Sequence, residues 1–279
     1  MLRMNITNWI PCALVILAIV VAATTTHAGV IAADSPTDPA YSAGWTEGSN
    51  GGFGFGAWEL HASDADRFAI NTASTSPIGS TTFAATSGTQ LHAIMRRSLN
   101  QDMAVGDTFS IDIDPEADFL QGGNRWIGVF LYGRNMHESN QQRVTFGASL
   151  DSGTTNWALV HIVENGVYDL IVDTGIPMDG TPIHLEMTIG QSDALDVGVA
   201  TWNEGTSAWN PLQHFAGSLS RPEHGPIGHF RLYNMKEYGL VEYNDLSITR
   251  EVVPEPGSGI MIFSLLIGVL LSRRNGQFR

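Results

Sequence analysis

Short runs of β-branched and aromatic residues recur through the middle of the chain, cut by Gly, Asn and Asp, and no segment sustains a helical periodicity. In Asp107-Thr108-Phe109-Ser110-Ile111-Asp112-Ile113 and His184-Leu185-Glu186-Met187-Thr188-Ile189, apolar and polar side chains alternate. On a pleated strand this sends the two kinds to opposite faces, as two stacked antiparallel sheets require. The pattern predicts eleven strands: Phe68–Asn71, Gln90–Arg96, Thr108–Ile113, Trp126–Gly133, Arg143–Ser149, Trp157–Val163, Val167–Val172, His184–Ile189, Asp196–Trp202, Gly228–Tyr233 and Tyr243–Thr249. Glu164-Asn165-Gly166 is a tight-turn signature, and Gly190-Gln191-Ser192-Asp193 closes a second hairpin. An irregular opening, Gly29 to Tyr41, precedes a segment from Gly44 to Trp58 that is too rich in Gly for a regular strand and reads as a covering loop. The expected fold class is all-β, a two-sheet antiparallel β-sandwich, with no internal repeat or linker.

All 28 acidic residues lie between Asp34 and Glu255, against ten basic ones in that region, a net charge of −18 for the middle. Such a field repels phosphate backbones and anionic lipid, so nucleic acid is not an expected partner. The one cysteine is Cys12. Beyond it there is no sulfur for a disulfide, a thiolate zinc site or a thiol nucleophile.

The two ends read as addresses. Arg3, an apolar stretch from Ile10 to Ala23, and small Thr26 and Ala28 before Gly29 form a secretory signal peptide over residues 1–28, cleaved between Ala28 and Gly29. At the other end Val253-Pro254-Glu255-Pro256 precedes an apolar run from Ile260 to Leu271 and then Arg273-Arg274. The prolines hold an extended peptide that a protease cleft can read. A helix over 260–271 rises about 18 Å, short of a hydrocarbon core of about 30 Å, and the Arg pair sets its orientation. Residues 253–279 resemble the PEP-CTERM sorting signal. That resemblance implies an exosortase-type membrane protease and the export machinery as partners. It also implies a transient inner-membrane anchor, with release or transfer to the cell surface or extracellular matrix. Residues 29–250 are then the exported domain, which resembles the concanavalin A-like or jelly-roll sandwiches of PEP-CTERM cargo proteins.

Within that domain Asp112, Asp114 and Glu116 alternate onto one strand face, where paired carboxylates serve as nucleophile and acid in glycan cleavage. The laminarinase-type glycoside hydrolases have a comparable carboxylate strand. Asp112 stands where theirs begins with Glu, and Pro115 ends the strand before Glu116. The expectation is therefore a strand end entering a solvated acidic turn, Asp112 to Asp118, with weak Ca²⁺ binding as the alternative. His224 and His229 flank a Gly-Pro turn and His161 and His184 read as sheet-surface residues, so no metal site is expected. There is no Gly-x-Ser-x-Gly elbow, and the glycines of Gly51 to Gly56 precede no helix and cradle no phosphate.

Six tryptophans follow the signal segment: Trp45, Trp58, Trp126, Trp157, Trp202 and Trp209. Most belong in a core by size alone. Trp202 and Trp209 flank the loop-like Asn203 to Ala208 and are the candidate glycan contacts. The chain is thus expected to be an exported, noncatalytic structural or glycan-binding protein, with no catalytic residue, no required cofactor and an extracellular polysaccharide as partner. A secreted glycoside hydrolase or polysaccharide lyase is the alternative.

Overall fold

In the computed structural model of the protein, the described residues are 28–62, 67–87, 92–115, 126–134, 142–149, 155–162, 168–234 and 239–251. The chain divides into two units, residues 30–250 and a unit drawn from both ends, residues 1–29 with 251–279. Among the described residues there are sixteen strands. In order they are β1 (Ala28–Asp34), β2 (Glu59–His61), β3 (Phe68–Asn71), β4 (Thr82–Thr86), β5 (Ala93–Met103), β6 (Asp107–Asp114), β7 (Trp126–Tyr132) and β8 (Gln142–Ser149). Then follow β9 (Asn156–Ile162), β10 (Tyr168–Pro177), β11 (Ile183–Ile189), β12 (Ala194–Asn203), β13 (Ala208–Trp209), β14 (Gln213–Ser218), β15 (Ile227–Asn234) and β16 (Leu240–Glu251). No helix among them is long and apolar enough to cross a membrane.

The strands form two antiparallel sheets. One has nine strands in the order β13-β12-β11-β6-β16-β4-β3, with β1 joined to β16 and β14 to β12; the other runs β10-β9-β8-β7-β15-β5-β2. Alternation builds the layer between them. Ile183, Leu185, Met187 and Ile189 of β11 and Phe109, Ile111 and Ile113 of β6 point into one continuous core with Val129, Leu131, Phe146 and Leu232 of the opposite sheet. Burying such side chains stabilises a sandwich by about 1.5–3 kcal/mol each.

All eleven expected strands have a counterpart, with ends shifted by up to seven residues, as where β5 runs on to Met103. Gly190 closes its hairpin by donating to the Ala194 carbonyl at 2.8 Å, with Ser192 and Asp193 at positive φ. The Asn165-Gly166 turn lies outside the described residues, although β9 and β10 pair antiparallel on either side of it, Ile162 opposite Tyr168. The sorting tail 253–279, with its apolar run 260–271, also lies outside the described residues.

Two expectations are corrected. The opening is irregular only in its second half: Ala28–Asp34 is a strand paired with β16, its Ala32 and Asp34 side chains buried. The Gly-rich segment is a loop, but it does more than cover, since it sends Trp45, Phe55 and Trp58 into the core. It is clamped from within by Arg97, which donates to the Gly56 and Gly51 carbonyls at 2.7 and 3.1 Å and to Asn50 at 2.7 Å. The same fully buried guanidinium is paired with Asp34. That carboxylate also accepts from the Tyr41 hydroxyl at 2.5 Å and the Trp58 indole at 3.2 Å. A buried ion pair survives only with its remaining hydrogen bonds satisfied, as they are in this cluster.

Candidate functional site

The outer face of the nine-stranded sheet collects the polar halves of β6, β11 and β12. Register places His184 opposite Asp112 on one side and Ala200 on the other, and Glu186 opposite Ser110 and Gly198. The His184 Nδ1 lies 2.6 Å from an Asp112 carboxylate oxygen and its Nε2 lies 3.3 Å from Glu186. With a carboxylate at each ring nitrogen, only the imidazolium donates to both. Burial pulls the His184 pKa down, but the hydrogen bonds and charges of Asp112 and Glu186 outweigh it and hold the pKa above the usual histidine value. Asp245 faces the same cluster from a bulge in β16, where its φ is 49°. Burial, with the Asp112 carboxylate beside it, raises the Asp245 pKa.

Beyond His184 the face becomes aromatic. Trp202 and Trp209 are directly paired across the β12–β13 hairpin, their rings 5.3 Å apart and edge to face at 84°. Trp209 in turn lies 5.8 Å from the His184 ring. The hairpin is shaped locally: the Asn203 side chain accepts from the Gly205 and Thr206 amides at 3.0 and 3.3 Å, and Ser207 takes a positive φ. Gly198 and Ala200 on the same face of β12 are small and buried, with Leu212 and His214 packed close to Gly198. Trp45, Trp58, Trp126 and Trp157 are buried, at 4% exposure or less, whereas Trp202 and Trp209 are half-buried.

The other expected residues disperse. Asp112 and Asp114 do share the outer face, as alternation required, but Asp114 accepts from the Ser76 hydroxyl while Asp112 serves His184. Glu116 lies outside the described residues. The solvated acidic turn is corrected at its first residue: Asp112 is 3% exposed, because His184 and β16 close over it. His161 donates to the Ser218 carbonyl at 2.8 Å and His229 to that of Gly133 at 3.1 Å, whereas His224 faces Glu223 at 3.6 Å. Among the described residues no group of three His, Cys, Asp or Glu fits a metal ion. Val253, Pro254, Glu255, Pro256, Arg273 and Arg274 lie outside those residues; Ala28 and Gly29 open β1.

Two members of the cluster went unread in the sequence. Glu186 follows His184 by two and shares its face by alternation, a signal that was available. Asp245 joins only through the β16 bulge, which local sequence does not announce.

No family model matches the chain, and no curated protein matches its sequence. Similar solved structures include the globular domain of T. cruzi calreticulin (TM-score 0.46, 12% identity, 88% of this chain and 100% of that one). Lectin II from Ulex europaeus has a TM-score of 0.43 at 10% identity, over 69% of this chain and 92% of that one. An alginate lyase from Pseudomonas aeruginosa has a TM-score of 0.41 at 14% identity, over 67% and 87%.

Proposed function

We propose that the sandwich is a noncatalytic glycan-binding module of an exported protein, with Trp202 and Trp209 as its contact surface. The observation that carries this reading is the sorting of the six indoles. Four lie in the sheets or the loop and are buried, while Trp202 and Trp209 stand half-buried together beside the hydrogen-bonding groups of His184 and Glu186. A flat apolar ring beside fixed polar groups suits a sugar, whose faces are apolar and whose edge carries hydroxyls. Of the carboxylates the sequence offered for cleavage, Asp112 and Asp114 do not act as a pair, since each is held by a separate partner.

In this reading the N-terminal signal exports the chain and an exosortase-type protease processes the tail at Val253-Pro254-Glu255-Pro256. The domain is then delivered to the cell surface or extracellular matrix, where polysaccharide is its partner.

The test is a glycan array followed by calorimetry on the best neutral glycan. Trp202→Ala and Trp209→Ala are each expected to weaken binding about tenfold or more while leaving the thermal midpoint within a few degrees. Undiminished affinity in the double variant would remove the tryptophan pair from the site.

A further inference from the structure

The opposite outer face, that of the seven-stranded sheet, carries a cluster of another character. Register sets Arg96 of β5 directly across from Arg231 of β15, and Arg231 across from Phe130 of β7. Cross-strand neighbours of this kind have Cβ atoms about 5 Å apart, so two guanidinium stems stand side by side. The Arg231 guanidinium lies 4.6 Å from the centre of the Tyr132 ring and 6.0 Å from that of Phe130. Next to it, Tyr233 is half-buried and stacks on the exposed His92 ring at 5.6 Å and 18°.

Among the described residues these two cations lack an anion. The Nε of Arg96 and that of Arg231 are buried with no hydrogen-bond partner, and no carboxylate lies within ion-pair distance of either. Glu59 sits opposite Arg96 across the β2–β5 pairing, yet its ion-pair contact is His61, at 3.9 Å. Burial, with Arg96 beside it, lowers the Arg231 pKa. Acidic residues outnumber basic ones two to one in this chain, 28 against 14, so supplying a carboxylate to these donors would have required little. Arg97, the neighbour of Arg96 on the inner face, has its acid in Asp34. Like charges placed together in a half-buried site with no carboxylate between them are disfavoured, and an anion reaching their terminal guanidinium nitrogens would offset that.

We propose that Arg96 and Arg231 form a binding site for the carboxylate of an acidic sugar chain, a polyuronate, with Tyr233 and His92 supplying the flat face for an adjoining sugar ring. Guanidinium is the side chain whose planar fork matches a carboxylate. The overall negative charge of the protein does not forbid this, because exposed charges beyond about 8 Å are screened at physiological salt and contact pairs in a half-buried site are not. The site is separate from the tryptophan pair, on the other sheet, and stands or falls independently of it.

The full chain is titrated by calorimetry with polygalacturonate, with the same polymer after its carboxyls are reduced to alcohols, and with dextran sulfate. Polygalacturonate is expected to bind and the reduced polymer not to. The double variant Arg96→Gln with Arg231→Gln is expected to lose about tenfold or more in affinity. Arg231→Lys, which keeps the charge without the fork, should lose at least about threefold. The proposal is overturned if polygalacturonate does not bind, if the reduced polymer or dextran sulfate binds as tightly, or if the folded double variant binds undiminished. Should the double variant fail to fold, Arg231→Lys decides, and full affinity in that variant is equally fatal.

Discussion

At the scale of single residues, His184 is the group whose chemistry is set most plainly by its neighbours. Its two ring nitrogens face Asp112 and Glu186, and its pKa is raised in the folded chain. A histidine raised above its unfolded value of about 6.5 stabilises the fold in its charged form. That contribution is complete below about pH 6.5 and is lost as the pH rises through the folded pKa above it. Urea unfolding measured between about pH 6 and pH 9 is therefore expected to show stability falling with pH. His184→Gln should remove about 1–2 kcal/mol at the acid end and flatten the difference between the two proteins at the alkaline end. A constant difference across the range would mean that the imidazole acts by packing alone.

At the scale of elements, the Gly44–Trp58 loop shows how glycine lets a backbone lie on a strand. Phe53 and Ala33 exchange amide hydrogen bonds at 2.9 and 3.0 Å, drawing the loop onto β1. Gly52 has a φ of +69°, and a Cβ there would meet the Ala33 carbonyl oxygen at 2.0 Å. Gly48 has a φ of +81° with open space around it. Gly52→Ala is thus expected to cost about 2 kcal/mol or more, from strain plus displacement of the loop, whereas Gly48→Ala costs about 1 kcal/mol from strain alone. Chemical denaturation of the two variants side by side measures this, and equal losses would show that contact with β1 does not hold the loop. Since the loop delivers Trp45 and Trp58 to the core, the Gly52 variant should also shift the tryptophan emission.

At the scale of the whole molecule, the ends and the domain pose separate questions. If the ends are addresses, intact mass and amino-terminal sequencing of protein from its native host will find a product starting near Gly29 and ending near Pro254 to Pro256, outside the cell membrane. A product that keeps Arg273 and Arg274 in the inner membrane would contradict sorting and leave a tail-anchored domain. Within the domain, residues such as Phe109, Leu185 and Met187 announced their strands because apolar alternation is a local property, written into neighbours two apart. By the same local reasoning Trp202 and Trp209 could be singled out, since they bracket a stretch of turn-forming residues. The weaker strands were not legible: β13 is two residues long, and β14 is a mostly exposed Gln213–Ser218 with little apolar pattern. What alternation cannot carry is the partner across a sheet. Arg96 and Arg231 meet, as do Asp112 and His184, because strands far apart in the chain are neighbours in a sheet at one register. Asp245 reaches Asp112 only because a bulge turns it there. The sequence by itself determined the fold class, most strands and the character of each face. Tertiary structure decided which charges meet and which are left without a partner, because pairing depends on long-range register and not on neighbours in the chain.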